Sequence, residues 1–239
     1  MPTFVSLTWS ENTDESHSQV LVQTVNDVLQ WLLLRHPAQT MAQSALAVRV
    51  FGPWVIPSLM PDQPYWGTQW YIDRAYDAES NTLVAPLFLE LVRHEPWQQS
   101  DPHYDLALVA QPMTAYHPRL VPEETRGTCL SASIPGLAGI VSTAPLADLP
   151  ADLAETTLAR EVRHTLGHVL EVPSADRSQN VERHGAERHC TNRCVMRHAD
   201  SVGALVALTR DEQNLGWPYC EACTADLHSV MVKHGHEWN

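Results

Sequence analysis

The chain has 239 residues, 44% hydrophobic and 18% charged, a composition that supports a packed core and excludes disorder along its whole length. Fifteen Lys and Arg against 28 Asp and Glu leave a formal charge of -13. Such a surface repels phosphate backbones and anionic lipid, so neither a nucleic acid nor a membrane is expected as a partner.

In chain order, residues 3–9 alternate loosely and read as a strand. Residues 16–35 repeat Val20, Val25, Val28, Leu29, Leu32 and Leu33 mostly at three and four, which predicts a helix stopped by Pro37. Residues 45–51 read as a second strand. The loop 52–67 that follows is rich in Trp and Pro, with Pro53, Pro57, Pro61 and Pro64. Residues 73–94 read as helical, with Pro86 marking a kink or the first turn of a new helix. Residues 104–110 form a buried-strand pattern. Segments 129–133 and 137–142 read as paired strands about the turn signal Pro135-Gly136. A long helix is predicted over 152–172, with Leu158, Val162, Leu166, Val169 and Leu170 as its apolar face and Pro173 as its stop. Residues 174–188 read as a polar loop, 204–215 as a helix and 224–234 as a short terminal helix. Strands cluster before residue 145, with helices between and after them, which predicts an α+β or α/β layer in a single domain, 1–239. The opening residues carry no basic segment leading into a long apolar run, so no signal peptide is expected. Apolar runs such as 106–110 and 204–208 are too short to cross a bilayer, so a soluble, cytoplasmic protein is expected.

The chemistry concentrates in 150–239. Eight of the 13 histidines fall between His164 and His236, in the stretch that also holds four of the five cysteines. In a reducing compartment, cysteines spaced in pairs are metal ligands more often than disulfides. On the long helix His164 and His168 are four apart, so their rings leave one face a turn apart, the arrangement with which one helix gives two nitrogens to one zinc. The same spacing also fits two surface histidines, and the downstream residues tip the balance. Cys190, Cys194, Cys220 and Cys223 form two close pairs separated by a helix-sized segment, a pattern that suits a closed four-thiolate zinc site. Cys129 stands apart and reads as a buried strand residue.

At these residues the sequence resembles the archaemetzincins, zinc metallopeptidases with the signature H-E-x-x-H-x-x-G-x-x-H-C-x4-C-x-M followed by C-x-x-C. Here His164, Thr165 and His168 are followed by His189-Cys190, Cys194-Val195-Met196, and Cys220 and Cys223. The resemblance covers about residues 83–227 and is strongest over 158–223; residues 1–80 diverge. It implies a metzincin-like mixed sheet packed on a zinc-binding helix, with a small four-cysteine subsite. It makes His164, His168 and His189 the ligands of a first zinc and Met196 the apolar floor beneath them. Cys190, Cys194, Cys220 and Cys223 become the ligands of a second, two Zn2+ per chain.

The pattern breaks at three places. The Glu that would take a proton from water is Thr165, and losing a general base costs about 10²–10⁴-fold in rate. The Gly that turns the chain after the helix is Glu171, and the third His, due at position 174, is displaced to His189, with His184 as its competitor. The first cysteine pair is spaced C-x3-C. Glu182 and Glu187, on the segment before His189, are candidates for a displaced base. Glu161 and Glu171 lie on the same stripe as the His pair, and Glu161 is placed to bond the outer nitrogen of His164. Two readings follow: a zinc peptidase that takes a peptide or protein segment, and an inactive zincin fold, a pseudoenzyme that binds such a segment or regulates. A zinc protein using three histidines for other chemistry is a third.

Overall fold

A computed structural model describes residues 2–35, 46–53, 67–116 and 127–236. Its centre is a five-stranded sheet in the order β2 (Ala47–Gly52), β1 (Phe4–Trp9), β5 (Tyr104–Val109), β9 (Ala138–Ser142), β8 (Ser131–Ile134). The first four strands run parallel, and β8 pairs antiparallel with β9 at one edge. Strands 5 and 9 are covered on both faces, which explains their near-continuous apolar sequence.

Side-chain alternation splits the core in two. Val5, Leu7, Leu106, Leu108 and Val141 face α1 (Glu15–Arg35) and α5 (Ala151–Val169). Ala107, Val109, Ala138 and Ile140 face α2 (Thr68–Ala75) and α3 (Ala85–Arg93), where Tyr71, Ile72, Phe88 and Leu89 fill the space. A small second sheet joins β3 (Tyr76–Asp77), β4 (Thr82–Val84), β6 (Met113–Thr114) and β7 (Thr128–Cys129). Helix α4 is the short turn Pro96–Ser100. The hairpin β10 (Val181–His184) and β11 (Glu187–Cys190) precedes α6 (Val202–Glu212) and α7 (Glu221–His236). Among the described residues no helix is long and apolar enough to cross a membrane.

Two predicted elements differ. The helix expected over 73–94 is two helices separated by the β3–β4 hairpin. Pro86 sits in the first turn of α3, where its missing N–H and fixed φ cost nothing. Residues 174–188 are not simply a loop. The polar stretch pairs as β10–β11 because Gly185, at φ 62, supplies the turn. Cys129 is a strand residue, half-buried rather than fully buried. Most of the Trp- and Pro-rich stretch, 54–66, lies outside the described residues, as does Pro37.

Helix α5 is set by two local features. It lies close on the sheet because Gly139 of β9 has no side chain: a Cβ there would be 2.6 Å from Thr165 Cγ2 and 2.9 Å from Val169 Cγ2. The helix ends in a Schellman motif, with Val172 N–H donating to Gly167 O at 2.8 Å and Glu171 N–H to His168 O at 2.9 Å. Glu171 takes the left-handed position, φ 58, that usually belongs to glycine. It therefore lies past the end of the helix and not on the stripe of the two histidines. We expect Glu171→Gly to raise stability by about 1 kcal/mol in denaturant titration, since glycine adopts that φ without strain. Gly139→Ala should lower it by roughly 1–3 kcal/mol, because the stiff β-branched neighbours have little room to move.

Candidate metal centres

His164 and His168 project from the buried face of α5, and β11 brings His189 against them; the three are 4%, 4% and 1% exposed. Their ligand atoms all lie within 4.8 Å of one another. The His164 and His168 Nε2 atoms are 3.1 Å apart, near the ~3.4 Å edge of a tetrahedron with 2.0–2.1 Å zinc–nitrogen bonds. The rings of His164 and His189 are near parallel, and His168 stands across both. His164 Nδ1 lies 2.9 Å from the Val195 carbonyl. A carbonyl only accepts, so Nδ1 carries the proton and Nε2 keeps its lone pair for the centre. Val195, rather than Glu161, thus fixes the outer nitrogen of His164. Glu161 instead accepts from Ser131 Oγ at 2.6 Å.

Both ring nitrogens of His189 are buried without a hydrogen-bond partner. Burial is the main cause that pushes the imidazoles toward the neutral form: His168 falls to about 3, and His164 and His189 also fall well below the usual value. Neutral, buried nitrogens converging with one ring that has neither nitrogen satisfied are the donor set a borderline-soft cation needs, and these residues fit zinc.

Met196 lies under α5 against Gly167, where any Cβ would collide with its sulfur. Its carbonyl accepts from Cys190 N–H at 2.9 Å. Thr165 is buried, and its hydroxyl donates to the Glu161 carbonyl one turn back at 2.9 Å. Of the two carboxylates considered as a displaced base, Glu187 reaches the centre. Its Oε2 lies 3.8 Å from His189 Nε2 and 4.0 Å from His168 Nε2, while Oε1 accepts from Ser133 Oγ on the edge strand at 2.7 Å. Burial raises its proton affinity. Glu182 is half exposed and pairs with His184 at 3.2 Å. His184 stacks on His198 at 4.0 Å, outside the three-ring group.

The four paired cysteines form the second group, also with all ligand atoms within 4.8 Å. Cys190 Sγ and Cys220 Sγ are 3.7 Å apart, close to the ~3.8 Å expected between thiolates on zinc at ~2.3 Å. Hydrogen bonding among the thiols divides them. Contact with Cys190 pushes Cys194 and Cys223 up, and contact with Cys194 draws Cys190 down to about 7. Four thiols this close cannot ionise together unless a cation enters. N–H donors already face the sulfurs: Cys220 N to Cys194 Sγ at 3.3 Å and Arg177 Nη1 to Cys223 Sγ at 3.3 Å. Arg177 is held in turn by Asp226 at 3.0 Å.

Sequence reasoning missed four supporting groups. Arg160 is buried: its Nε bonds Glu212 at 3.0 Å, and Glu212 also accepts from Arg197 at 2.8 Å, tying α5 to α6. Tyr219 donates to the Arg163 carbonyl at 2.6 Å. His198 and Arg177 complete the set. None stands at a metal-ligand spacing, so only the fold reveals them.

No family model matches the sequence, and no curated protein matches it. Solved structures do. The archaemetzincin of Methanopyrus kandleri superposes with a TM-score of 0.60 at 19% identity, over 97% of this chain and 96% of that one. The archaemetzincin of Archaeoglobus fulgidus, solved with malonate, gives a TM-score of 0.54 at 15% identity, over 93% and 98%. The chain therefore has an archaemetzincin-like fold.

The depressed His168 value has a defined sign. Between the unfolded value near 6.5 and the folded value near 3, the unfolded chain binds a proton that the folded chain refuses, so acidification costs stability. In chelator-treated protein, wild type should lose up to about 1.4 kcal/mol per pH unit relative to His168→Gln as pH falls below 6.5, and nothing above it. Denaturant titrations from pH 8 to 5 measure the difference.

Proposed function

We propose that this chain is a zinc-dependent, metzincin-type peptide-bond hydrolase whose general base has moved from the helix to the hairpin. The observation that carries the reading is the convergence of three buried, neutral imidazoles, one of them with both nitrogens unpartnered. His164, His168 and His189 would hold one zinc, leaving a coordination position open. Cys190, Cys194, Cys220 and Cys223 would hold a second in a closed site that braces the fold. Zinc in the open site supplies Lewis acidity, polarising a carbonyl and acidifying water.

The rest of the chemistry belongs to side chains. Thr165 cannot accept a proton near neutral pH, and its hydroxyl is committed to the helix backbone. Glu187 can: its carboxylate faces the same space as the ring nitrogens, and burial raises its proton affinity toward the working range of a general base. Ser133 holds it in place from β8. That strand ends the sheet order, and no further strand pairs with its outer edge among the described residues, although the Ser133 N–H already faces the Glu187 carboxylate. An extended peptide can add there as a further strand, beside Glu187 and the histidines.

A second reading keeps the groove and drops the reaction: an inactive zincin fold that binds a peptide or protein segment. The buried, back-bonded Thr165 favours it. Metal analysis with hydrolysis of a broad peptide library separates the two. The first reading expects chelator-sensitive hydrolysis, and it expects Glu187→Gln to lower kcat by about 10²–10⁴-fold with metal content unchanged. Undiminished hydrolysis in Glu187→Gln removes the displaced base. Full metal occupancy with no hydrolysis in wild type selects the binding protein.

A further inference from the structure

On the opposite face of the sheet from the histidines, a cavity of about 40 Å³ lies between the strands and helices α2 to α4. It exceeds the roughly 10–15 Å³ that one water needs. Two features mark it as more than a packing defect. Ser6 and Thr68 line it, are 1% and 2% exposed, and have hydroxyl oxygens without a hydrogen-bond partner. Buried hydroxyls are seldom left so.

The second feature is its charge. Glu95 and Asp105 both line the cavity, and no Lys or Arg does among the described residues. Asp105 has partners to one side, Gln98 Nε2 at 2.9 Å and His103 Nε2 at 3.3 Å. Glu95 lies beside the Tyr71 hydroxyl, and burial followed by repulsion from Asp105 pushes its carboxyl up to about 7. Part of the remaining wall is aromatic, with Phe51 edge-on to Trp97 at 5.2 Å and Phe88 tilted on Tyr71 at 5.9 Å, beside the aliphatic Val92, Ala107 and Ala138. Aromatic faces and carboxylates both attract cations, and open hydroxyls accept N–H donors.

From this geometry we infer that the cavity binds a small protonated amine, an ammonium group carrying at most a short alkyl substituent. Its N–H donors would reach the two carboxylates and the hydroxyls of Ser6 and Thr68, and its alkyl part would lie on the aromatic wall. An anion would meet two carboxylates, and a quaternary ammonium has no N–H to give the hydroxyls. The inference is independent of the metal reading, since none of these residues belongs to the His or Cys groups.

Calorimetric titration of the full, metal-loaded chain at pH 8 with methylammonium chloride tests it, with sodium and tetramethylammonium chloride at equal ionic strength as controls. We expect saturable binding of methylammonium alone, in roughly the millimolar range for so few atoms. Glu95→Gln should weaken it roughly tenfold or more by removing a charge-assisted partner. Thr68→Val, which removes one of the two open hydroxyls, should weaken it too and decides the matter if Glu95→Gln does not fold. Absence of saturable binding, equal binding of tetramethylammonium, or unchanged binding in the folded variants would overturn the inference and leave a water-filled cavity.

Discussion

The structure depends on burying three imidazoles that point at one another. Each ring is neutral, each is nearly inaccessible, and His189 has neither nitrogen satisfied. An unsatisfied buried polar group costs about 1–3 kcal/mol, so this arrangement is an expense that a shared cation would offset. The surrounding architecture serves that convergence. Gly139 lets α5 settle on the sheet, the Val195 carbonyl fixes the tautomer of His164, and Met196 under Gly167 sets the depth of the helix.

The two donor groups are mechanically one unit. His189 and Cys190 are consecutive at the end of β11, so the residue that completes the imidazole group also begins the thiol group. Cys220 and Cys223 stand at the start of α7, and Arg177 joins the hairpin region to that helix through Cys223 and Asp226. Anchoring the sulfurs therefore anchors the hairpin, and the hairpin presents His189 and Glu187. Separating His189 from the helix by a long insertion is tolerable because both ends of the insertion are tied: β10 pairs with β11, and Cys190 is tethered among the thiols.

The residues that converge were legible because ligation imposes a spacing: two rings four positions apart on one helix, and close pairs of cysteines. The sheet strands were legible because covered parallel strands are apolar over most of their length. The β10–β11 hairpin was not, since its residues are polar on both faces and pair through backbone bonds that leave no hydrophobic period. The break in the 73–94 helix was hidden because short strands 3 and 4 are too brief to show alternation. Arg160, Glu212 and Arg197 come together across three segments, and no local pattern encodes such a meeting. Glu187 was visible only as a candidate; its reach toward His168 and His189 comes from the hairpin register, which places it two residues before His189 on the same strand face.

X-ray absorption at the zinc edge on protein purified without added metal tests the central claim most directly. The account predicts two zinc ions per chain, with one sulfur shell at about 2.3 Å and one nitrogen and oxygen shell at about 2.0 Å. It also predicts that His189→Ala removes scattering from the lighter shell alone. Protein without stoichiometric metal, or a spectrum made of sulfur only, would contradict it.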